Sequence, residues 1–288
     1  MQIYNQCIPC FIQQAYDALQ QVDSDEALTH RTLQRVLQEA ARFPTTRTPP
    51  EMAQITHRII REETGRADPY EKIKRRSTEF ALRIMDEARA IINGSIDPFK
   101  MALRFSIAGN ILDFALTTKW TQLDLANFIE NTRVQPLNDA AVEQLRKAVR
   151  RAGSILFLGD NAGETVFDRL LIEQFPNTDV FYAVKGSPVI NDATLADARA
   201  AGLHEVAELT ENGSDAPGTI LEDCNAPFRW LFNEAGLVIA KGQANYESLS
   251  QAKRPLFFLT QVKCPVIGRD LGEPVGGWVV REHKGTEQ

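Results

Sequence analysis

The hydrophobic positions in the first half of the chain recur with helical spacing. In IPCFIQQAYDALQQV, which starts at Ile8, apolar side chains return every three or four residues and form one stripe along a helix. Similar stripes follow Ser24 and Asp25, which resemble N-cap residues, and another segment starts with two prolines and stops at Gly65. The pattern predicts consecutive helices from about residue 8 to about residue 150.

The pattern changes after Gly153, where short apolar runs alternate with helical segments. The segments predicted as strands are SILFLG, DVFYAVK, EVAEL, GLVIAKG, PLFFLT and CPVIG. Strands separated by helices imply right-handed crossovers and a mostly parallel sheet with both faces covered. We therefore predict an α/β fold, with a three-layer α/β/α Rossmann-like core over residues 153–288 beside an all-helical domain over residues 1–152.

Composition narrows the class of protein. The 288 residues are 43% hydrophobic and 24% charged, which is typical of a globular chain with one large or two modest cores. A net charge of −6 argues against a general nucleic-acid surface. The N-terminus lacks the pattern of a signal peptide, no apolar run is long enough to span a membrane, and four cysteines are too few for a disulfide scaffold. We expect a cytoplasmic protein without a membrane partner.

Polar side chains follow the predicted strands at the edge where a parallel sheet binds its ligands. They are Asp160, Asn161, Gly163 and Glu164 after the first strand, Asn191 and Asp192 after the second, Lys241, Gly242 and Asn245 after the fourth, and Lys263 after the fifth. Because these strand ends share one edge of the sheet, we expect the side chains to converge there.

The residue types at this edge suit a metal ion and a phosphate group. Asp160, Asn161 and Asp192 offer hard oxygen ligands for Mg²⁺, Mn²⁺ or a similar divalent ion. The helix start after Gly163 favours an anion, and the nearby lysines add positive charge. Taken singly, the Asp-Asn and Asn-Asp pairs are also typical of helix N-caps. Their agreement at one edge favours the metal site.

The chain lacks complete forms of the common dinucleotide-binding, zinc-protease and serine-hydrolase motifs, and its cysteine motif is a single pair. The loop GDNAG is not the G-x-G-x-x-G of a dinucleotide site, and neither H-E-x-x-H nor G-x-S-x-G occurs in the chain. Cys7 and Cys10 form a single C-x-x-C, which fits a structural, a metal-binding or a redox role. Cys224 and Cys264 would complete a four-sulfur set only if the fold brought them close.

An ordered set of segments resembles one protein family over nearly the full chain. The segments are CIPC, DPYEKIK, AGNILDF, GDNAGETVFD, VKGSPVINDAT, KGQANYESL and VKCPVIG. Together they resemble the metal-dependent damage-control phosphatases, the acidic-residue-methyltransferase-like family formerly catalogued as a domain of unknown function. The CIPC segment and the short C-terminal region are similar to its smaller prokaryotic branch.

The resemblance implies a divalent metal ion, Mn²⁺, Ni²⁺, Co²⁺ or Mg²⁺, held at Asp160, Asn161 and Asp192. It also implies a phosphate-binding lysine at Lys263, although the Arg-Thr-x-Lys of one branch is TQVK here, so the arginine's role is unfilled. The positions that match the lining of the pocket are Lys241, Gly242 and Asn245 in the second half, and Asn110 and Asp113 in the helical half.

The function that these observations favour is hydrolysis of small phosphorylated metabolites, such as sugar phosphates or damaged metabolites. The metal and Lys263 would neutralise charge on the phosphoryl oxygens. Asp160 is either a metal ligand or a direct nucleophile, and Glu164 would orient a water or act as a base. Two alternatives stay open: S-adenosylmethionine-dependent carboxyl methyl transfer, and phosphometabolite binding without catalysis. The sequence does not indicate an oligomeric state.

Overall fold

The first half of the chain folds into helices, as the periodicity predicts. The computed structural model describes residues 1–110, 122–176 and 178–286. In these ranges the helices before the first strand are α1 (Cys7–Gln21), α2 (Glu26–Arg42), α3 (Pro49–Thr64), α4 (Glu71–Asn93), α5 (Pro98–Gly109), α6 (Gln122–Val134) and α7 (Asp139–Arg151).

The second half alternates strands and helices. Its elements are β1 (Ser154–Leu158), α8 (Thr165–Ile172), β2 (Asp179–Val184), α9 (Leu195–Ala200), β3 (Glu208–Glu211), α10 (Ala226–Glu234), β4 (Leu237–Lys241), α11 (Gly242–Leu249), β5 (Leu256–Gln261), α12 (Pro265–Leu271) and β6 (Trp278–His283). The strands form one sheet in the order β3-β2-β1-β4-β5-β6. All neighbouring pairs are parallel except β5 and β6. The predicted α/β class is confirmed.

One predicted strand is wrong, and one strand was not predicted. CPVIG begins a helix, because Cys264 is the N-cap of α12 and Pro265 occupies its first turn. Proline fits that position, since its missing N–H has no partner there in any helix. The last strand is WVVREH, which lies antiparallel at the edge of the sheet.

Helix ends follow the local sequence. The Asp25 side chain caps α2 by accepting a hydrogen bond from the Leu28 backbone N–H at 2.7 Å. Thr48 and Glu51 form a capping box at the start of α3, and Gly65 ends that helix with φ +63°. These caps fix where α2 and α3 begin and where α3 ends.

The two faces of the sheet are covered by different helices. Ile155 and Phe157 of β1 belong to a buried cluster that also contains residues of α4, α5 and α7, such as Phe105. The alternate residues Leu156 and Leu158 belong to the cluster on the opposite face. Helices α4, α5 and α7 therefore share a core with the sheet, and the division into domains 1–152 and 153–288 stays a prediction.

The topology fixes where a ligand would bind. From β1 the chain goes to β2 on one side, and β4 lies on the other side of β1. Loops that leave two neighbouring parallel strands in opposite directions open a crevice at their carboxyl ends. In the present sheet this crevice lies between the loops after β1 and β4. Among the described residues, no helix combines the length and apolar character needed to cross a bilayer.

Candidate active site

The loops after β1 and β2 are joined, which brings the three predicted metal ligands together. Asn161 and Asp192 form an isolated antiparallel β-bridge. Beside it, the Ala193 N–H donates to the Asp160 carbonyl at 2.8 Å. Asp160, Asn161 and Asp192 are all buried, with at most 6% of their surface exposed. These three residues are not helix N-caps, because the N-caps of the helices that follow them are Glu164 and Thr194.

Gly242 contacts the Asp160 carboxylate at the start of α11. Gly242 has φ +79°, and a Cβ at this position would lie 1.9 Å from Asp160 Oδ2. No other residue type fits this close approach, because the positive φ also disfavours a side chain. The first turn of α11 and its positive end therefore face the Asp160 carboxylate.

Asn110 joins the helical half of the chain to this loop. It is the C-cap residue of α5, and its Nδ2 donates to Asp160 Oδ2 at 2.7 Å and to Glu164 Oε2 at 2.9 Å. The Asn161 backbone N–H also points to Glu164 Oε2, at 3.4 Å. Glu164, which is fully buried, thus orients two residues that border the crevice.

A buried ion cluster lies directly beneath these residues. The Lys241 ammonium group donates to Glu164, to Asp168 Oδ1 at 2.5 Å and to the Ser106 carbonyl at 2.9 Å. Asp168 also accepts hydrogen bonds from the hydroxyl groups of Ser106 at 2.6 Å and Tyr182 at 2.8 Å. All three donors of Lys241 are used, so this side chain supports the site from below.

Burial shifts the pKa values of the acidic groups. Desolvation raises the pKa of Glu164 to about 7, although Lys241 opposes the rise. Desolvation likewise raises the pKa of Asp192 to about 7, and Lys185 opposes that rise. Burial lowers the pKa of Lys241, but Asp168 and Glu164 raise it more, so the net direction is upward. The lysine is therefore charged at neutral pH.

The buried charges around the crevice do not balance. Four buried carboxyl groups, those of Asp160, Glu164, Asp168 and Asp192, surround two buried lysines, Lys185 and Lys241. If all six are ionised, two negative charges lack a buried counter-ion. Such an excess is unfavourable without a cation, because desolvation of a carboxylate is costly.

Several polar atoms of the crevice lack hydrogen bonds within the described part of the chain. They are Asn110 Oδ1, Asn161 Nδ2 and Asp192 Oδ2. Asp192 Oδ2 lies 3.3 Å from Lys185 Nζ without the geometry of a hydrogen bond, while Lys185 donates to the Gly218 carbonyl. Buried polar atoms normally have partners, so external groups fit here. The acceptors Asn110 Oδ1 and Asp192 Oδ2 suit a cation or a donor, whereas the donor Asn161 Nδ2 suits an anionic oxygen. Two carboxylates and an amide oxygen suit a hard divalent cation.

The described residues contain no group of three or more His, Cys, Asp or Glu side chains arranged to hold a metal. The candidate set differs from such a group because its third member is an asparagine. When Asp160 and Asp192 are ionised, the set carries a charge of −2 that a divalent ion would neutralise, so these residues fit such an ion.

Lys263 and Asn245 occupy the other side of the crevice. Lys263 follows β5 and is half-buried, and its charge opposes the burial-driven rise in the pKa of Asp192. Asn245 is fully buried, and its Nδ2 donates to the Gly159 carbonyl at 3.2 Å and to the Lys241 carbonyl at 2.7 Å. Asn245 therefore joins the β1 and β4 loops. Asp113 lies outside the described residues.

Two residues that support the site, Asp168 and Lys185, were not predicted from the sequence. Asp168 lies one helical turn after Glu164, and this i, i+4 spacing was the available signal that both carboxylates reach one lysine. Lys185 directly follows β2 and pairs with Asp192. The sequence places Lys185 after a strand, but it does not show that Asp192 is the partner of Lys185.

The C-x-x-C pair lies in the first turn of α1. Cys7, Cys10, Cys224 and Cys264 all have free thiols. Burial raises the pKa of both Cys7 and Cys10, so both are protonated at neutral pH. This direction is the reverse of that expected for a reactive thiolate.

The fold and the site define an α/β protein with an oxygen-lined, acidic crevice at the switch point of a parallel sheet. A family model described as the damage-control phosphatase ARMT1-like domain matches residues 3–279. The chain therefore belongs to the damage-control phosphatase ARMT1-like family, as its motifs suggested.

Relatives cover the chain almost completely. A damage-control phosphatase of Archaeoglobus fulgidus is 33% identical over 98% of this chain and 99% of its own length. Damage-control phosphatase PH1575 of Pyrococcus horikoshii is 30% identical over 99% of each chain. The crystal structure of PH1575, described as a DUF89 family protein, has a TM-score of 0.89 and covers 99% of this chain and 100% of its own.

Proposed function

We propose that this protein is a metal-dependent phosphatase that hydrolyses phosphate monoesters of small metabolites. The observation that carries the proposal is the buried crevice, in which four carboxyl groups face two buried lysines and several polar atoms lack partners among the described residues. Membership of a phosphatase family supports the reaction class. The substrate and the choice among Mn²⁺, Ni²⁺, Co²⁺ and Mg²⁺ are part of the proposal.

The residues proposed to hold the metal are Asp160, Asn161 and Asp192. A divalent ion bound there would supply Lewis-acid polarisation of a phosphoryl oxygen and would lower the pKa of a coordinated water. Gly242 leaves space for the Asp160 carboxylate and keeps it against the start of α11. Lys185 pairs with Asp192 and limits the desolvation cost of that carboxylate.

Lys263 is the proposed phosphate ligand. It is half-buried on the β5 side of the crevice, and its ammonium group stabilises negative charge on the phosphoryl oxygens. Lys241 has no donor left for substrate, so we assign it to charge balance beneath the site. Asn245 holds the two loops in register and contacts the protein rather than the substrate.

Glu164 is proposed as an orienting residue. Its carboxylate is fully buried and reaches the crevice through Asn110 and the Asn161 backbone. It holds the Asn110 amide so that Nδ2 donates to Asp160 and Oδ1 stays available. We assign Asp160 to metal binding, with the Asn110 amide holding one of its carboxylate oxygens in place.

The test is phosphate release from a panel of phosphomonoesters, including p-nitrophenyl phosphate and sugar phosphates, with each divalent ion in turn. We expect ion-dependent release by the wild type, and loss of at least about two orders of magnitude in Asp160→Asn. Asp86→Asn, an exposed control on α4, retains full activity. Undiminished activity in a folded Asp160→Asn variant would contradict the metal assignment.

Binding measurements beside the phosphate-release panel separate the alternatives. Stoichiometric binding of S-adenosylmethionine in calorimetry, without phosphate release, would favour the methyltransferase. Metal-dependent binding of phosphorylated metabolites without turnover would favour a sensor. Neither alternative has a specific observation in its support here.

A further inference from the structure

Gln243 lies between the two sides of the crevice, and none of the roles above uses it. It is the second residue of α11 and follows Gly242, which contacts Asp160. Its side chain points across to the loop after β5, which carries Lys263. It therefore connects the proposed metal side of the site with the proposed phosphate side.

Both ends of the Gln243 amide are engaged. Oε1 accepts from the Lys263 backbone N–H at 3.3 Å, and Nε2 donates to Glu247 Oε1 at 3.0 Å. Nε2 also lies 3.9 Å from Cys264 Sγ. Glu247 is one turn further along α11, so it fixes the Gln243 side chain in an i, i+4 pair. The amide thus has one assigned orientation, with its oxygen toward Lys263.

This arrangement sets the backbone of the residue that we assign to phosphate. Lys263 stands between the end of β5 and the first turn of α12, where the chain changes from strand to helix. Its N–H is not part of the pairing between β5 and β6, whose register ends at Gln261. The hydrogen bond from Lys263 to Gln243 replaces that pairing, because a backbone N–H needs a partner.

We propose that Gln243 is a positioning residue, which holds the Lys263 backbone so that the ammonium group meets a phosphoryl group next to the metal ligands. The inference rests on the proposed function, since Lys263 is the phosphate ligand there. Only an amide of this length serves both partners. Methionine has a similar size without the donor and the acceptor, and asparagine is one methylene shorter.

The test is a double-mutant cycle on the binding of inorganic phosphate, measured by calorimetry with saturating Mn²⁺. The proteins are the wild type, Gln243→Met, Lys263→Ala and the double variant. The matched control is Gln13→Met, because Gln13 is exposed and forms the same kind of i, i+4 hydrogen bond, to Asp17 at 2.8 Å. Circular dichroism checks folding, and Gln243→Ala replaces Gln243→Met if the larger side chain prevents folding.

We expect Lys263→Ala to raise the Kd for phosphate at least about tenfold, since it removes a charge-assisted contact. Gln243→Met raises it about fivefold, consistent with the loss of neutral hydrogen bonds. In the Lys263→Ala background, Gln243→Met has no further effect, because Gln243 acts through Lys263. Gln13→Met leaves the Kd unchanged.

The remaining outcomes would contradict the role of Gln243, the role of Lys263 or the proposed function. If Gln243→Met leaves the Kd unchanged, or has an equal effect with and without Lys263, Gln243 does not position Lys263. If Lys263→Ala has no effect, the proposed role of Lys263 is wrong and the inference falls with it. If the wild type binds no phosphate but releases it from phosphomonoesters, the inference falls and the proposed function stands. If it does neither, the proposed function itself is contradicted.

Discussion

Gly242 shows how one residue without a side chain shapes the site. A Cβ there would meet Asp160 Oδ2 at 1.9 Å. We predict that Gly242→Ala lowers metal-dependent phosphatase activity at least about tenfold, because Asp160 must move. Gly272→Ala is the control, since Gly272 also has a positive φ, +68°, but open space around it. If both variants lost activity to the same extent, the loss would come from backbone strain and not from displacement of Asp160.

His57 is a buried histidine whose Nε2 has no hydrogen-bond partner among the described residues. Burial, with a smaller effect of Arg61, lowers its pKa from the usual 6.5 to about 3. As the pH falls, His57 takes up a proton in the unfolded chain near pH 6.5 but in the folded protein only near pH 3. The stability that neutral His57 contributes is therefore full above pH 6.5 and is lost as the pH falls toward 3.

We therefore predict that, when the pH falls from 7 to 5, the free energy of unfolding of the wild type decreases by about 2 kcal/mol relative to that of His57→Gln. Urea unfolding of both proteins at the two pH values measures the difference. The comparison with the variant cancels the opposite contributions of Glu164 and Asp192, whose pKa values are raised to about 7. Parallel pH profiles for the two proteins would contradict the burial of neutral His57.

The residues of the site differ in how far the sequence predicted them. Asp160, Asn161 and Asp192 could be grouped because each follows a parallel strand, and such ends share one edge. The close approach of Gly242 to Asp160 could not be predicted, since it depends on the angle at which α11 leaves β4. Lys241 and Lys263 look alike in sequence. They differ in burial because Ser106 and Asp168, distant in the chain, enclose only Lys241.

At the scale of elements, Lys241 fixes α5 and α8 to the end of β4. Its ammonium group contacts Ser106 of α5 and both Glu164 and Asp168 at the start of α8. We predict that Lys241→Met lowers the free energy of unfolding by about 3 to 5 kcal/mol, because it leaves two buried carboxyl groups without their cation. Urea unfolding at pH 7 measures the loss.

The control for this substitution is Lys147→Met on α7, where 61% of the lysine side chain is exposed. It should change stability by less than about 0.5 kcal/mol. A Lys241→Met protein as stable as this control would mean that the buried carboxyl groups are neutral without the lysine.

Element types were predictable where periodicity was strong and failed where proline set the outcome. The run CPVIG has the composition of a strand, but Pro265 cannot donate to a ladder and starts α12 instead. The edge strand β6 was not predicted because its apolar run is only three residues long and is followed by Arg281, Glu282 and His283. Length and hydrophobicity alone do not distinguish CPVIG, which begins a helix, from WVVREH, which is a strand.

At the scale of the molecule, α3 crosses from α11 to the loop after β3 and ties the helical half to the sheet. Asp215 accepts hydrogen bonds from Gln54 at 2.7 Å and from Arg58 at 2.5 Å, and it also pairs with Arg61. Burial opposes ionisation of Asp215, but these partners lower its pKa to about 2. The contribution of these contacts to stability is therefore complete above pH 4 and is lost as the pH falls toward 2.

We predict that Asp215→Asn lowers the stability of the protein at pH 7 by about 1 to 3 kcal/mol, because the two arginines lose their shared carboxylate. Differential scanning calorimetry would detect a lower Tm, and the difference from the wild type should shrink below pH 3. A constant difference down to pH 2 would mean that the charge of Asp215 contributes nothing.

The metal dependence of this site can be tested by titrating divalent ions into protein that a chelator has freed of them, followed by an assay of phosphate release. We expect one Mn²⁺ bound per chain in calorimetry, activity that appears only on addition of the ion, and loss of both in Asp192→Asn. Full phosphate release by chelator-treated protein, or unchanged Mn²⁺ binding by Asp192→Asn, would contradict this expectation.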